Sequence, residues 1–336
     1  MPLMREVGLA IHGLRVTVVG DWAEVVDAVV ADFAWFLSPV QTGEPSGIRV
    51  EIVRGAPDYD ALGDGTASFV TPRNVVYQTA ERTIVDYFGK ALSVLDRSSG
   101  VLTITGETAH LVHEAGHQFL LSRIGEHLDR IGLVRLHGLG LSAAGGAIVV
   151  MLPSGGGKST LALRALEADN VRVLAEDTPL IDRRGTVHPF PLRIGINETD
   201  ADRLPPASVR RIEWMEFHPK LALDLESFRH RIDPVPRPLA HIVIGRRSIG
   251  RSATLEPMPR RAAVGPLLSE GVFGVGVYQG MEFVLQHGMR DVIGKTGTVA
   301  MRARCCGAGL RHARVWRLTI GRDHERNWGA LAPLLR

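Results

Sequence analysis

The segment of this sequence best suited to phosphate chemistry is a glycine run followed by lysine and serine. Glycines let the backbone turn its N–H groups inward, and a helix that starts directly afterwards adds further N–H groups and a partial positive charge. Lys158 would place its charge near the β- and γ-phosphates, and Ser159 would offer a hydroxyl to Mg²⁺. The candidate nucleotide-binding residues are Pro153, Ser154, Gly155, Gly156, Gly157, Lys158, Ser159 and Thr160.

One position departs from the phosphate-binding pattern G-x-x-x-x-G-K-[ST]. The pattern has glycine at position 152, where this sequence has Leu152. Gly155 and Gly156 are the candidates to supply the missing flexibility. A plain flexible turn is the alternative, but the apolar run Ala147–Leu152 before the loop predicts a strand buried on both faces. Lys158–Glu167 after the loop predicts a helix, so the context favours a phosphate-binding loop.

Two adjacent carboxylates, Glu176 and Asp177, follow Lys158 by only 18 and 19 residues. A strand that returns so soon beside the loop would bring them close to the γ-phosphate. One carboxylate could then hold Mg²⁺ while the other takes a proton from an acceptor hydroxyl. The alternative is a polar turn. The sequence has no Asn-Lys-x-Asp guanine-binding motif, which argues against a GTPase, and it has no ordinary downstream Walker B strand.

The stretch from His137 to Asp177 resembles the HPr kinase/phosphorylase family, including related kinases that tailor lasso peptides. In that family a histidine at the start of a hairpin precedes a strand, a glycine-rich P-loop, a short helix and an Asp-Asp pair. Here His137 lies 21 residues before Lys158, and Glu176-Asp177 stands at the place of the acidic pair. The resemblance implies an α/β fold with a P-loop core of the HPr kinase/PEP carboxykinase type.

The resemblance also implies a reaction, namely transfer of the ATP γ-phosphoryl group, with Mg²⁺, to a serine-type hydroxyl of a small protein or peptide. It makes Glu176 the general base, supported by His137, and makes Asp177 and Ser159 the Mg²⁺ ligands. The Glu-for-Asp change leaves Asp177 as the alternative base. Arg193 is a candidate contact to the transferred phosphate or the acceptor, or else a surface arginine. Phosphorylase activity is not carried over.

A second motif, His113-Glu-Ala-Gly-His117, matches H-E-x-x-H on a predicted helix. This spacing puts two imidazoles on one helix face, as a zinc hydrolase requires, with Glu114 as a base. The extended form of the motif fails, because the sequence has no third histidine at the required spacing. The alternative is that His113 and His117 border an apolar stripe, formed by Ala115, Phe119, Leu120 and Ile124.

The elements that must position these residues fall into two regions. Residues 1–132 predict an α+β region for recognition or assembly, and residues 133–336 predict the nucleotide-binding domain. Strands are expected at Val16–Val19, Ile48–Val53, Val75–Tyr77, Ile84–Tyr87, Val171–Leu174, Ala240–Ile244 and Arg314–Thr319. Hairpins are expected at Leu92–Thr105 and His137–Gly146. Helices are expected at Trp22–Phe36, Thr108–Ile131 with Gly132 as its stop, and Trp328–Leu335.

The composition of the chain argues against several further classes of protein. The 336 residues carry 39 Lys and Arg against 36 Asp and Glu, a net charge of +3, which argues against a nucleic-acid binder. The adjacent Cys305 and Cys306 exclude a disulfide framework and favour the cytoplasm. We expect no membrane span and no signal peptide. The alternative to a kinase is a nucleotide-binding module without catalysis. The sequence does not decide whether the chain forms a homo-oligomer. The arginine pairs indicate solvated faces, with binding of an acidic peptide or a phosphate as the alternative: Arg210-Arg211, Arg246-Arg247 and Arg260-Arg261.

Overall fold

The computed structural model describes residues 4–40, 47–153, 155–202, 204–213, 220–273 and 289–336. Ser154, one of the predicted phosphate-binding residues, lies outside them. The chain is of the α/β class and divides into two compact units, Met1–Ile124 with Arg211–Lys220 and Gly125–Arg210 with Leu221–Arg336. The boundary predicted at residue 132 lies at the end of a helix that crosses from one unit to the other.

A mixed sheet forms the centre of the first unit. Its strands are β1 Arg5–Ile11, β2 Leu14–Gly20, β3 Leu37–Ser38, β4 Ile48–Arg54, β5 Ala67–Val70, β6 Val75–Gln78, β7 Arg82–Asp86, β8 Ala91–Asp96 and β9 Val101–Gly106. Their order is β3-β1-β2-β4-β9-β8-β7-β6-β5, and β4 runs parallel to both β2 and β9. The helices are α1 Ala23–Ala31 and α2 Ala109–Ile131. The predicted hairpin of β8 and β9 and the predicted α2 are confirmed.

The first predicted helix, Trp22–Phe36, is wrong at its carboxyl end. α1 ends at Ala31, and a 3₁₀ turn follows at Ala34–Phe36. The backbone of Phe33, with φ −121° and ψ 23°, leaves the helical region, which puts its ring into the core. The spacing of apolar residues did not indicate this break, because the residues beyond it are also apolar.

A second mixed sheet forms the centre of the second unit. The strands that follow α2 in the chain are β10 Val134–Arg135, β11 Leu139–Ala143, β12 Gly146–Met151, β13 Arg172–Ala175, β14 Leu180–Ile181, β15 Thr186–His188, β16 Ile194–Ile196, β17 Val209–Ile212, β18 Lys220–Leu223, β19 Arg237–Arg247, β20 Thr254–Met258 and β21 Arg314–Ile320. The sheet order is β10-β14-β15-β19-β12-β11-β13, with β21 beside β19 and β20 beside β21. Away from this sheet, β16 pairs with β18.

The helices of the second unit are α3 Lys158–Glu167, α4 Glu198–Ala201, α5 Val264–Leu267, α6 Met289–His312 and α7 His324–Leu331. The predicted last helix, Trp328–Leu335, therefore begins too late. Asp323 caps α7 by accepting from the Arg326 N–H at 3.2 Å, and a 3₁₀ turn replaces the helix from Ala332. Within the described ranges, no helix combines the length and the apolarity that a bilayer crossing requires.

Strand β12 lies at the centre of this sheet and is buried on both faces, as its unbroken apolar sequence predicts. Val149 and Met151 pack with Met301 and Cys305 of α6, and by strand alternation Ile148 and Val150 point to the opposite face. β12 runs parallel to β19, and β19 runs parallel to β21. Ligands of open α/β sheets bind outside the carboxyl ends of such strands. The glycine loop begins at this edge.

Two glycines of α6 provide a matched test of how this helix packs. A Cβ added at Gly309 would overlap Ile181 Cδ1 and lie 2.9 Å from Leu239 Cδ2, whereas a Cβ at Gly307 would meet nothing within 4 Å. We predict that Gly307→Ala raises the free energy of unfolding by about 0.5–1 kcal/mol through helix propensity. Gly309→Ala should instead lower it, because overpacking costs about 1–3 kcal/mol. Urea unfolding measures both variants, and equal gains would contradict the packing.

Candidate functional site

The glycine loop, residues 153 and 155–157, turns the chain from β12 directly into α3. Gly155 and Gly157 have φ angles of +66° and +95°, which residues with side chains rarely adopt. Gly156 N donates to Pro153 O at 2.8 Å, and a Cβ at Gly156 would lie 2.6 Å from that oxygen. Each of the three glycines is therefore required by the path of the chain.

Leu152, the departure from the sequence pattern, is accommodated by a glycine on the neighbouring strand. A Cβ added at Gly245 of β19 would overlap Leu152 Cδ2 and lie 2.7 Å from Leu152 Cγ. Leu152 is buried and its side chain fills the space that Gly245 leaves. The side chain therefore points into the sheet core, while the Leu152 carbonyl remains at the start of the loop.

Lys158, the first residue of α3, reaches back across the loop. Its Nζ donates to Leu152 O at 2.9 Å and lies 3.0 Å from His137 Nε2. The side chain is buried, so these acceptors compensate for the loss of hydration of the ammonium group. The predicted phosphate-binding lysine and the predicted histidine thus contact each other.

His137 lies beside the acidic pair because backbone hydrogen bonds of the residues on either side of it hold it there. Gly138 N donates to Asp177 O at 3.0 Å, and Leu136 N donates to Pro179 O at 2.9 Å. Strand β11 then runs antiparallel to β13, which ends directly before Glu176. The short connection from α3 through β13 therefore returns the chain to the glycine loop, as the sequence spacing predicts.

The imidazole of His137 has a charged group on each side. Nδ1 lies 2.7 Å from Glu270 Oε2, and Nε2 lies 3.4 Å from Asp177 Oδ1. Asp177 raises the pKa of His137 the most and Glu270 adds to this effect, whereas burial and the charge of Lys158 oppose it. Glu270 is a member of this site that the sequence analysis missed.

Glu176 lies beside Ser159 of α3, whereas Asp177 lies beside His137. Ser159 Oγ donates to Glu176 Oε1 at 2.7 Å, so the predicted Mg²⁺-binding hydroxyl and the first carboxylate are adjacent. Burial, together with the negative charge of Asp177, raises the pKa of Glu176 to about 7. The two carboxylates therefore differ, since Glu176 is partly buried beside Ser159 and Asp177 is exposed beside His137.

The remaining predicted residues lie around the same loop. Thr160 is partly exposed in the first turn of α3, and Arg193 is partly exposed directly before β16, a strand that packs on α3. Arg247, predicted to belong to a solvated arginine pair, donates from Nη1 to Gly155 O at 2.9 Å. Its position at the carboxyl end of β19, next to β12, is the signal that could have identified it.

The H-E-x-x-H motif forms a buried hydrogen-bonded cluster in the first unit. His113 Nε2 and His117 Nδ1 each lie 2.9 Å from Asp32 Oδ2, and all three side chains are buried. Glu114 pairs with Arg73 at 3.3 Å. In the described part of the chain, no group of three or more His, Cys, Asp and Glu residues is arranged to hold a metal ion. The motif thus joins α1 to α2.

No protein-family model matches this chain, and no curated protein matches it significantly. The inference of function therefore depends on the chemistry of the side chains at the glycine loop. These are one ammonium group, one imidazole, three carboxylates and the Ser159 hydroxyl, within contact distances of 2.7–3.4 Å.

The raised pKa of Glu176 predicts a measurable pH dependence of stability. The folded protein keeps the Glu176 proton up to about pH 7, whereas the unfolded chain releases it near 4.5. Stability should therefore be lost as pH rises between these values, by up to about 1.4 kcal/mol per pH unit. Urea unfolding at several pH values should give a steeper loss for wild type than for Glu176→Gln.

Glu167→Gln is the control, because Glu167 is an exposed glutamate at the other end of α3. This variant removes one glutamate charge at the end of α3 that lies away from the glycine loop. Equal pH slopes for wild type and Glu176→Gln would contradict the raised pKa.

Proposed function

We propose that this protein is an ATP-dependent kinase that transfers the γ-phosphoryl group to a serine-type hydroxyl of a small protein or peptide. The observation that carries the proposal is the meeting of Lys158, His137 and Asp177 beside the glycine loop, with contacts of 3.0 Å and 3.4 Å. We further propose that the second unit has a P-loop core of the HPr kinase/PEP carboxykinase type, supported by the order of histidine, hairpin, glycine loop, helix and acidic pair.

The glycine loop and the start of α3 supply the phosphate cradle. Positive φ angles at Gly155 and Gly157 aim backbone N–H groups into the turn, and the first turn of α3 adds its own unpaired N–H groups. Lys158 provides the positive charge for the β- and γ-phosphates. Because the reaction is mainly positioning and charge stabilisation, such a preorganised cradle is its main requirement.

Ser159 and Glu176 fit a magnesium ion. Mg²⁺ prefers oxygen ligands and usually binds through one or two carboxylates together with substrate phosphates, and the Ser159 hydroxyl and Glu176 carboxylate are 2.7 Å apart. When bound, Mg²⁺ would neutralise charge on the transferring phosphoryl group. Ser159 and Glu176 would hold the ion, with Asp177 next to Glu176 in the chain.

Asp177 is the better candidate for the general base. From the family resemblance we expected Glu176 in this role and Asp177 as a metal ligand, with Asp177 as the alternative base. His137 contacts Asp177, whereas Ser159 contacts Glu176, and these two contacts support the alternative. The acceptor hydroxyl would pass its proton to the exposed Asp177 carboxylate, and His137, which contacts both Asp177 and Lys158, would orient that carboxylate.

Lys158→Ala tests the phosphate cradle. We predict at least an approximately 100-fold loss of ATP turnover, because the charge on the phosphates is no longer neutralised. Turnover is measured with labelled ATP, Mg²⁺ and an extract of the source organism as the supply of acceptor. Lys90→Ala, an exposed lysine in the β7–β8 turn, is the control and should retain full turnover. Full turnover in Lys158→Ala would refute the proposed site.

Glu176→Gln and Asp177→Asn test how the two carboxylates divide their roles. Glu176→Gln should raise the Mg²⁺ concentration for half-maximal turnover by about tenfold, because a charged ligand is lost. Asp177→Asn should leave binding of Mg-ATP unchanged and lower turnover by about 100-fold or more. Calorimetric titration and Mg²⁺ dependence of turnover measure the two effects. The opposite pattern would return the base to Glu176.

A further inference from the structure

Glu270 holds His137 at two points, although the two residues are 133 positions apart in the sequence. Its carboxylate Oε2 lies 2.7 Å from His137 Nδ1, and its backbone oxygen accepts from His137 N at 3.1 Å. The second carboxylate oxygen, Oε1, accepts from Ser269 Oγ at 3.1 Å. Glu270 therefore fixes the position of both the backbone and the ring of His137.

We propose that Glu270 is a positioning residue that selects the tautomer of His137. Both ring nitrogens face a carboxylate, since Nδ1 lies 2.7 Å from Glu270 Oε2 and Nε2 lies 3.4 Å from Asp177 Oδ1. Lys158 Nζ, which only donates hydrogen bonds, lies 3.0 Å from Nε2, so Nε2 accepts from it and the proton of the neutral ring is on Nδ1. Nδ1–H then donates to Glu270, and Nε2 is the nitrogen that faces Asp177 and Lys158. The proposal rests on the proposed function and specifies how His137 serves it.

The turn that contains Glu270 is held in place by the packing and hydrogen bonding of the two residues that follow Glu270. Gly271 lies between Leu136 and Cys306, since a Cβ there would lie 2.5 Å from Leu136 Cδ2 and 2.9 Å from Cys306 Sγ. The next carbonyl, Val272 O, accepts from Arg302 Nη1 at 3.3 Å, and Val272 is buried. The π-helical turn Leu268–Phe273 therefore sits tightly against the strand connection that contains His137.

This arrangement fixes the orientation of the His137 ring. A catalytic-site imidazole that is itself oriented by a carboxylate is a recurring feature of enzymes, and loss of the orienting group leaves the wrong tautomer populated. Without Glu270, the imidazole could rotate and present a carbon or Nδ1 to Asp177. Phosphate binding by the glycine loop would be unaffected, because Glu270 contacts the ring nitrogen opposite Lys158.

Nitrogen-15 NMR of the full chain labelled at histidine reads the tautomer directly. Because the pKa of His137 is raised, the spectra are recorded at a pH above its titration, where the ring is neutral. The wild-type His137 signals should then be those of a ring protonated at Nδ1, and Glu270→Ala should shift them toward the Nε2-protonated form. A wild-type ring protonated at Nε2, or signals unchanged in Glu270→Ala, would overturn the proposal. This readout needs no substrate, so it decides the positioning role even if wild type transfers no phosphate, a result that would refute only the kinase proposal.

Kinetics gives the second readout. Glu270→Ala should lower kcat by about 100-fold with the KM for ATP changed less than about twofold, and Glu270→Gln, which keeps an accepting oxygen, should recover part of the loss. Gly271→Ala, which displaces the turn but keeps Glu270, should also lower kcat. The control Asp182→Asn removes a different histidine–carboxylate contact, to His188 at 3.0 Å, and should leave kcat unchanged. An unchanged kcat in Glu270→Ala would contradict the role.

Discussion

The ammonium group of Lys158 lies buried between the Leu152 carbonyl and the His137 imidazole, 2.9 Å and 3.0 Å away. A buried cation without acceptors would cost several kcal/mol, so these contacts determine where the start of α3 can lie relative to β12. They also join three separate parts of the chain, because His137 precedes β11 and Leu152 follows β12. The positions of the loop, the acidic pair and the orienting glutamate all depend on this arrangement.

The two adjacent carboxylates have different environments although they are neighbours in the chain. Burial and the negative charge of Asp177 raise the pKa of Glu176 to about 7, although Glu176 also accepts from Ser159. Asp177 is exposed and faces His137. Consecutive residues after a strand point to opposite sides, so one side chain reaches the helix side of the loop and the other the histidine side. In the proposed mechanism, this separation would let one carboxylate bind the metal ion while the other accepts the proton.

Local patterns predicted the elements that carry the loop, because β12 is an unbroken apolar run and α3 consists of good helix formers. The short spacing after Lys158 also placed the acidic pair beside the glycine loop, and the family resemblance added His137, which lies within 41 residues of Asp177. Glu270 was not predictable in this way, because a contact across 133 residues leaves no periodic signal. Arg247 was missed although its position at the carboxyl end of a predicted strand was a usable signal. The end of α1 was misplaced because packing of Phe33, not sequence periodicity, ends the helix.

Transfer of γ-labelled phosphate from ATP tests the central claim most directly. The full chain is incubated with labelled ATP, Mg²⁺ and an extract of the source organism, and the protein fraction is then treated with acid. The account predicts a labelled protein or peptide whose phosphate survives acid, as a serine-type phosphoester does. ATP binding without any labelled product, or a product that loses its phosphate in acid, would contradict transfer to a hydroxyl.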